Sequence, residues 1–229
     1  MRLLAVSPHL DDAAFSAGGT LALRAREGWD VIVATVFTGN VARPEGFALA
    51  CQLDKGLGPD IDYMALRREE DRNACAALGA RPLHLQLLEA PHRGYESAAA
   101  LFAGRLADDR LGDALPAFLG GVISALDPDL IMGPLTLGDH IDHHQVRDAL
   151  AVAAGDRLLL LWEDWPYADR PEVTRPDEPA LAVPLDGWAR GRRMSASAAY
   201  TSQLGYQFGG VEALAARVAA IREERFHRP

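Results

Sequence analysis

Two short stretches hold most of the groups able to bind an ion and move protons. The first, "SPHLDDAAFSAGG" (7–19), carries His9, Asp11 and Asp12, and the second, "GDHIDHHQV" (138–146), carries three histidines within five residues. Imidazole nitrogen and carboxylate oxygen suit zinc or ferrous iron, and His9 and Asp12, at i and i+3, converge on one ion if the chain turns there. Two ligands are too few. A catalytic zinc keeps three protein ligands and leaves one position for a water whose pKa it lowers, and His143 completes that set. Asp11, beside a ligand but pointing elsewhere in an extended segment, is then free to act as general base. His140, three residues before the third ligand, is placed to act in charged form, protonating a leaving amine or steadying an oxyanion, with Asp142 tuning its charge. The arrangement requires the imidazoles of His9 and His143 to meet within about 5 Å, given metal bonds near 2 Å.

Each cluster also has a plainer reading. Aspartates in a loop often cap a helix or close a turn through backbone N–H groups, and a histidine-rich segment can be a solvated loop. Position in the fold favours the metal reading. The first cluster follows an apolar run, "RLLAVS" (2–7), and the second follows "PDLIMGP" (128–134), both of strand character. Ligand chemistry in open α/β sheets gathers outside the carboxyl ends of the strands.

The remaining pattern supplies such a sheet. Further strands are expected at "DVIVATVF" (30–37), "RPLHLQLL" (81–88) and "RLLLLW" (157–162), with "LAVPL" (181–185) as an edge strand. Helical periods fall between them, through "GGTLALRAREG" to Gly28, at 63–80 with Leu66, Cys75 and Leu78 on one face, at 115–127 and after Asp142. Alternating short apolar strands and helices predict a Rossmann-like three-layer α/β sandwich, a mostly parallel sheet with helices on both faces. Residues 39–62 read as a long loop, and 187–203 and 210–226 as two closing helices. At 229 residues the chain is expected to form a single domain, 1–229.

Composition narrows the functional classes. A net charge of -9, from 23 basic against 32 acidic residues, argues against a broad nucleic-acid footprint. The first turn lacks Gly-x-Gly-x-x-Gly and is lined by carboxylates that would repel a pyrophosphate, which disfavours a dinucleotide cofactor. Cys51 and Cys75 match no zinc-knuckle spacing and are expected to be reduced structural thiols. No apolar run approaches membrane-spanning length, so the expected compartment is the cytoplasm, and a homo-oligomer is expected on general grounds.

The two motifs resemble those of the LmbE-like, or PIG-L, family of zinc-dependent N-acetylglucosaminyl deacetylases. That family carries P-H-P-D-D-E followed by glycines, then H-P-D-H; here "PHLDDAAFSAGG" and "HIDH" match, with Leu10 and Ile141 replacing prolines and Ala13 the glutamate. The resemblance implies His9, Asp12 and His143 as ligands of Zn2+ (with Fe2+ a possible occupant in the cell), Asp11 as general base, His140 as acid and Asp142 as its partner. It further implies a substrate contact for Arg67 in "RREEDRNACAALG", and it extends to "WEDWPYA" (162–168) and "YTSQ" (200–203). Trp165 and Tyr167 line a sugar site or pack in the core. Loss of the two prolines is expected to relax both loops. Specificity is expected from 39–62 and "APHRGYES" (90–97), where Arg93 or Arg43 can meet an acidic aglycone. The implied reaction is hydrolysis of an acetamido group on an N-acetylglucosamine-like sugar. Two rivals stand beside it: an amidase or esterase acting on another small molecule, such as an antibiotic or a thiol-cofactor precursor, and a binding module that keeps the metal without turnover.

Overall fold

Strand residues point alternately into two apolar layers, and that alternation builds the molecule. In the computed structural model, which describes residues 1–229, Leu3 and Ala5 of β1 (Arg2–Ser7) enter one core cluster while Leu4 and Val6 enter the other. Both faces of the strand are therefore covered. Val31 and Val33 against Ile32 and Ala34 repeat the division in β2 (Asp30–Phe37). Between these strands α1 (Asp12–Arg26) begins within the first motif itself, so Asp12 is its first residue and Asp11 its N-cap.

The chain continues through α2 (Gly46–Leu53), α3 (Tyr63–Leu78), β3 (Arg81–Leu87), α4 (Ala98–Leu101), α5 (Leu111–Leu126), β4 (Leu130–Pro134), α6 (Ile141–Ala153) and β5 (Leu158–Trp162). It ends with β6 (Leu181–Pro184), α7 (Gly187–Ala198), α8 (Thr201–Phe208), α9 (Val211–Ala220) and β7 (Glu223–His227). The sheet order is β3-β2-β1-β4-β5-β7-β6. The first five strands are parallel, and β7 runs antiparallel to both β5 and β6. The expected α/β sandwich is present: the larger core cluster joins α1, α3 and α7 to one face, and the smaller joins α5 and α6 to the other.

Four expectations need correction. The closing helix expected at 187–203 is two helices, α7 ending at Ala198 and α8 starting at Thr201 and running on to Phe208. Residues 39–62 contain α2, whose only buried residues are Ala48 and Gln52, a stripe too narrow to show as apolar period. The helix expected at 115–127 starts four residues earlier and carries Pro116 inside it. The last expected helix, 210–226, stops at Ala220, and 223–226 belong to β7. There the Glu224 carboxylate accepts the N–H groups of Gly19 (2.9 Å) and Thr20 (2.7 Å) and pairs with Arg193 at 3.0 Å. A buried carboxylate with three donors ties the last strand to α1, and its acidic sequence conceals a core position.

β1 and β4 are neighbours and parallel, with Leu4 opposite Ile131. Their carboxyl ends thus open side by side. Both motifs emerge from that edge, which is why segments some 130 positions apart in sequence share one site, as in the 133-residue separation of His9 and Asp142.

Candidate metal centre

His9, His140 and His143 present ligand atoms that all lie within 4.8 Å of one another. Asp12 stands among them. Its Oδ2 is 3.3 Å from His9 Nδ1 and 3.3 Å from His143 Nε2, about the edge of a tetrahedron whose centre makes 2.0 Å bonds. The ring centroids of His9 and His143 are 5.4 Å apart, and their nitrogens meet the distance that one shared ion demands.

Hydrogen bonds on the far side of each ring fix which nitrogen is free. His9 Nε2 bonds Asp142 Oδ2 at 2.9 Å, which leaves Nδ1 as the lone pair facing Asp12. His143 Nδ1 bonds Asp164 Oδ1 at 2.8 Å, and its Nε2, fully buried, has no hydrogen-bond partner. An orphaned imidazole nitrogen aimed at a carboxylate and a second imidazole is the donor set that a divalent cation completes. Carboxylates behind both histidines add the support typical of metal-binding imidazole. Charge balance agrees. Burial opposes a charge on His143, but Asp12 and Asp164 overcome it and raise its pKa to about 9. Burial likewise opposes the Asp12 carboxylate, yet the facing imidazoles hold it well below the usual range. The centre draws positive charge.

His140 differs from the other two. As N-cap of α6 it accepts the Asp142 N–H on its Nδ1 at 3.2 Å, so its proton sits on Nε2 and the ring is neutral. Burial, with His9 adding to it, pushes its pKa down to about 3. The charged His140 read from the sequence is therefore corrected to a neutral donor. The Asp142 carboxylate is likewise placed elsewhere than behind His140: fully buried, it accepts from His9, from Ala90 N at 3.1 Å and from Arg93 at 2.7 Å. It orients the His9 ring, and it meets His140 through its backbone N–H while its charge, as expected, favours a proton on that ring without overcoming burial.

Asp11 is an N-cap that caps nothing. Its φ of 150° lies in the region that disfavours a side chain, and it makes no side-chain cap bond. Instead the carboxylate meets Arg67 at 3.1 Å, and the same guanidinium nitrogen takes the Leu10 carbonyl. Burial pushes the Asp11 carboxyl up to about 7, with the Arg67 charge opposing. Arg67 thus grips both sides of the strained turn and spends its other arm on Glu89 at 3.2 Å. It borders the cavity as well.

The cavity measures about 240 Å³ and takes in His9, Asp11, Asp12 and His140 at its chemical end. Phe47 and Lys55, from the segment expected to set specificity, and His92 from the other, also border it. Arg93 does not. Each of its three nitrogens is engaged, by Leu88 O, Asp109 and Asp142, so the substrate role expected for it gives way to holding Asp142. Arg43 also lies outside the lining. Trp165 is core, stacked on Phe208 at 4.9 Å, whereas Tyr167 borders the cavity. The two helical motifs meet, because Glu70 accepts Thr201 Oγ1, Ser202 N and Ser202 Oγ, each at 2.7 Å, and Gln203 is left facing the cavity.

Departures from the family pattern are absorbed by packing. Leu10 is fully buried in the larger core and Ile141 packs beside Tyr95, so apolar anchoring holds both turns where a ring would have stiffened them. Ala13 is also core and does not border the cavity.

Asp164 is the site residue that sequence reasoning passed over. It follows β5, the next strand along the same edge, and its Oδ2 accepts Thr136 N (2.6 Å) and Leu137 N (3.0 Å). It so pins the loop in which Thr136, Gly138 and Asp139 all have positive φ. Gly138 also has no room for a Cβ, which would stand 2.7 Å from Tyr167. The cue was an acid at a parallel strand's carboxyl end. Asp164→Asn is expected to weaken metal affinity by about 10–100-fold, read by chelator competition. Unchanged affinity would remove it from the centre's support.

Over residues 4–154 the chain matches the family described as PIG-L, GlcNAc-PI de-N-acetylase. It is 34% identical over 170 residues to a 2'-N-acetylparomamine deacetylase of Streptomyces fradiae, covering 73% of this chain and 58% of that protein. It is 29% identical over 199 residues to a 1D-myo-inositol 2-acetamido-2-deoxy-alpha-D-glucopyranoside deacetylase of Corynebacterium glutamicum, covering 83% and 63%. The match thus spans about three fifths of each curated relative. Among solved structures, the zinc-inhibited form of a teicoplanin deacetylase superposes with a TM-score of 0.84 at 28% identity, covering 99% of this chain and 97% of that one. No helix of the protein is long and apolar enough to cross a membrane.

Proposed function

The chain belongs to the PIG-L family of GlcNAc-PI de-N-acetylases, and from that premise we propose that it hydrolyses the acetamido group of a 2-acetamido-2-deoxyglucoside, residues 1–229 acting as one catalytic domain. The observation that carries this reading is the meeting of His9 Nδ1, Asp12 Oδ2 and His143 Nε2 beside a carboxylate, Asp11, that is not needed as a ligand. His9, Asp12 and His143 would hold a divalent ion, Zn2+ or Fe2+ by the nitrogen and oxygen donor set. When bound, the ion supplies a Lewis acid and a lowered pKa for a coordinated water.

The chain's own groups do the rest. Asp11 accepts a proton from the attacking water, and Arg67 fixes the carboxylate for that task. His140 Nε2–H donates to the oxygen that gains charge as the amide carbon becomes tetrahedral. Asp11 then returns its proton to the nitrogen as the C–N bond breaks, releasing acetate and a free amine. Since His140 is neutral, proton shuttling falls to Asp11 and stabilisation to His140.

The three relatives are named as deacetylases of 2'-N-acetylparomamine, of 1D-myo-inositol 2-acetamido-2-deoxy-alpha-D-glucopyranoside and of teicoplanin, so a panel of N-acetylated compounds of those three kinds is the direct test. Acetate release from at least one is expected, abolished by chelation and restored by one equivalent of ion. Zinc is added stoichiometrically, because one relative was crystallised in a zinc-inhibited form. Metal-independent release would overturn the metal-dependent reading, and an ion-loaded protein that turns over none of the panel would overturn the deacetylase reading in favour of an amidase or esterase on another small molecule or the binding module.

A further inference from the structure

Three cations border the catalytic cavity, and they are not equally engaged. Arg67 is committed to Asp11, Glu89 and the Leu10 carbonyl. Lys55 donates to the Cys51 carbonyl at 2.8 Å and lies over the rings of Tyr63 and Tyr206. The guanidinium of Arg170, an exposed residue at the cavity's border, has neither a carboxylate nor a hydrogen-bond partner and lies over two rings: its central carbon is 4.5 Å from the centroid of Tyr167 and 5.6 Å from that of Phe102. Its neighbour Asp169 is turned away, bonded to the Trp165 indole, Arg175 and Arg217.

The two rings beneath Arg170 are those that cover the metal centre. Tyr167 meets His143 edge-on at 5.5 Å, and Phe102 meets His140 edge-on at 5.4 Å. The guanidinium is therefore one aromatic layer away from a ligand and from the oxyanion donor, within reach of a substituent on a sugar bound there. Stacking holds the planar fork flat and leaves its edge donors for a planar or tetrahedral anion. Elsewhere the cavity is rich in acids, Asp54 and Glu89 among them, which would repel an anionic substrate. A cation stacked on two rings with unspent donors, bordering such a cavity, marks the place where a negative charge is accepted.

We propose that Arg170, carried on the aromatic pair Tyr167 and Phe102, recognises an anionic group, carboxylate or phosphate, on the aglycone of the substrate. This rests on the deacetylase reading and narrows it to acidic glycosides. It also moves the acid-binding role expected of Arg93 or Arg43 to a residue that borders the cavity.

The test compares three N-acetylglucosaminides that differ only in the aglycone: a free carboxylate, its methyl ester and a phosphate. Acetate release gives kcat/KM for wild type, Arg170→Gln and Arg170→Lys. Wild type is expected to favour an acidic compound over the ester by about tenfold, the scale of one charge-assisted pair, chiefly through KM and less so at high salt. The ratio should fall toward one in Arg170→Gln and lie between in Arg170→Lys. Because the ratio cancels damage common to all substrates, it reads recognition and not folding. The carboxylate and phosphate arms tell the two sources of charge apart. A wild-type ratio near one, or a ratio kept by Arg170→Gln, would overturn the proposal. If wild type releases no acetate from any compound, the deacetylase reading fails for these glycosides. Calorimetric binding of the acid and the ester to the ion-loaded protein then decides on Arg170 alone, equal affinities counting against it.

Discussion

Asp11→Asn lowers kcat for acetate release by about two to four orders of magnitude, the usual worth of a positioned general base, while the protein still binds its ion. The expectation follows from how the two adjacent aspartates are divided. Asp12 Oδ2 faces both imidazoles at 3.3 Å, whereas Asp11 Oδ2 faces Arg67 at 3.1 Å. In the proposed assignment, losing Asp11 removes no ligand. Asparagine keeps an oxygen for the guanidinium and nearly the same size and shape as aspartate, so the turn should hold its shape. What it lacks is the basic oxygen. Metal content by elemental analysis and kcat by acetate release are measured on the same preparation. Retention of activity within a few-fold would place the base elsewhere, and loss of the ion would make Asp11 part of the coordination shell.

That division was legible in the sequence only in outline. "HLDD" and "HIDHH" state their chemistry through residue type, and the apolar runs ending before them state where the chain delivers it, because β1 and β4 are parallel strands buried throughout except at Arg2. What the sequence does not display is who stands behind whom. Asp142 reads as a partner of His140 from its spacing of two, but on the first turn of α6 its carboxylate swings toward His9 and the Arg93 guanidinium, and only its N–H meets the His140 ring. Asp164 was hidden for the opposite reason, as it comes from a third strand end, after β5, with no histidine near it in sequence.

Arg93, Arg170 and Glu224 show the same limit. An arginine in a loop is the same letter whether its donors are spent, as in Arg93, or free, as in Arg170. Its role depends on which carboxylates the tertiary fold brings near. Glu224, in a run of charged residues, reads as solvated helix and is instead a buried acceptor for two N–H groups of α1. Sequence pattern reports apolar burial well because apolar surface repeats with the element's period. Buried polar pairs have no period, and they are the part of this site that had to be seen.

The remaining question at the centre is which three groups hold the ion, and two substitutions separate the possibilities. Asp12→Ala is expected to lose metal by more than the roughly 10–100-fold that changes behind a ligand cost, because it removes the atom shared by both imidazoles. His140→Asn is expected to keep the ion and lose about 10²–10³ in kcat, the worth of one oxyanion donor. Asparagine suits the second test because it can cap α6 in place of His140 Nδ1, which accepts the Asp142 N–H. A neutral imidazole that accepts on Nδ1 carries its proton on Nε2 and has no lone pair left for a metal, although its atoms lie within 4.8 Å of the other two histidines. Metal retained by Asp12→Ala and lost by His140→Asn would show that the ring gives up its backbone bond to become the third ligand, and the oxyanion would then need another donor.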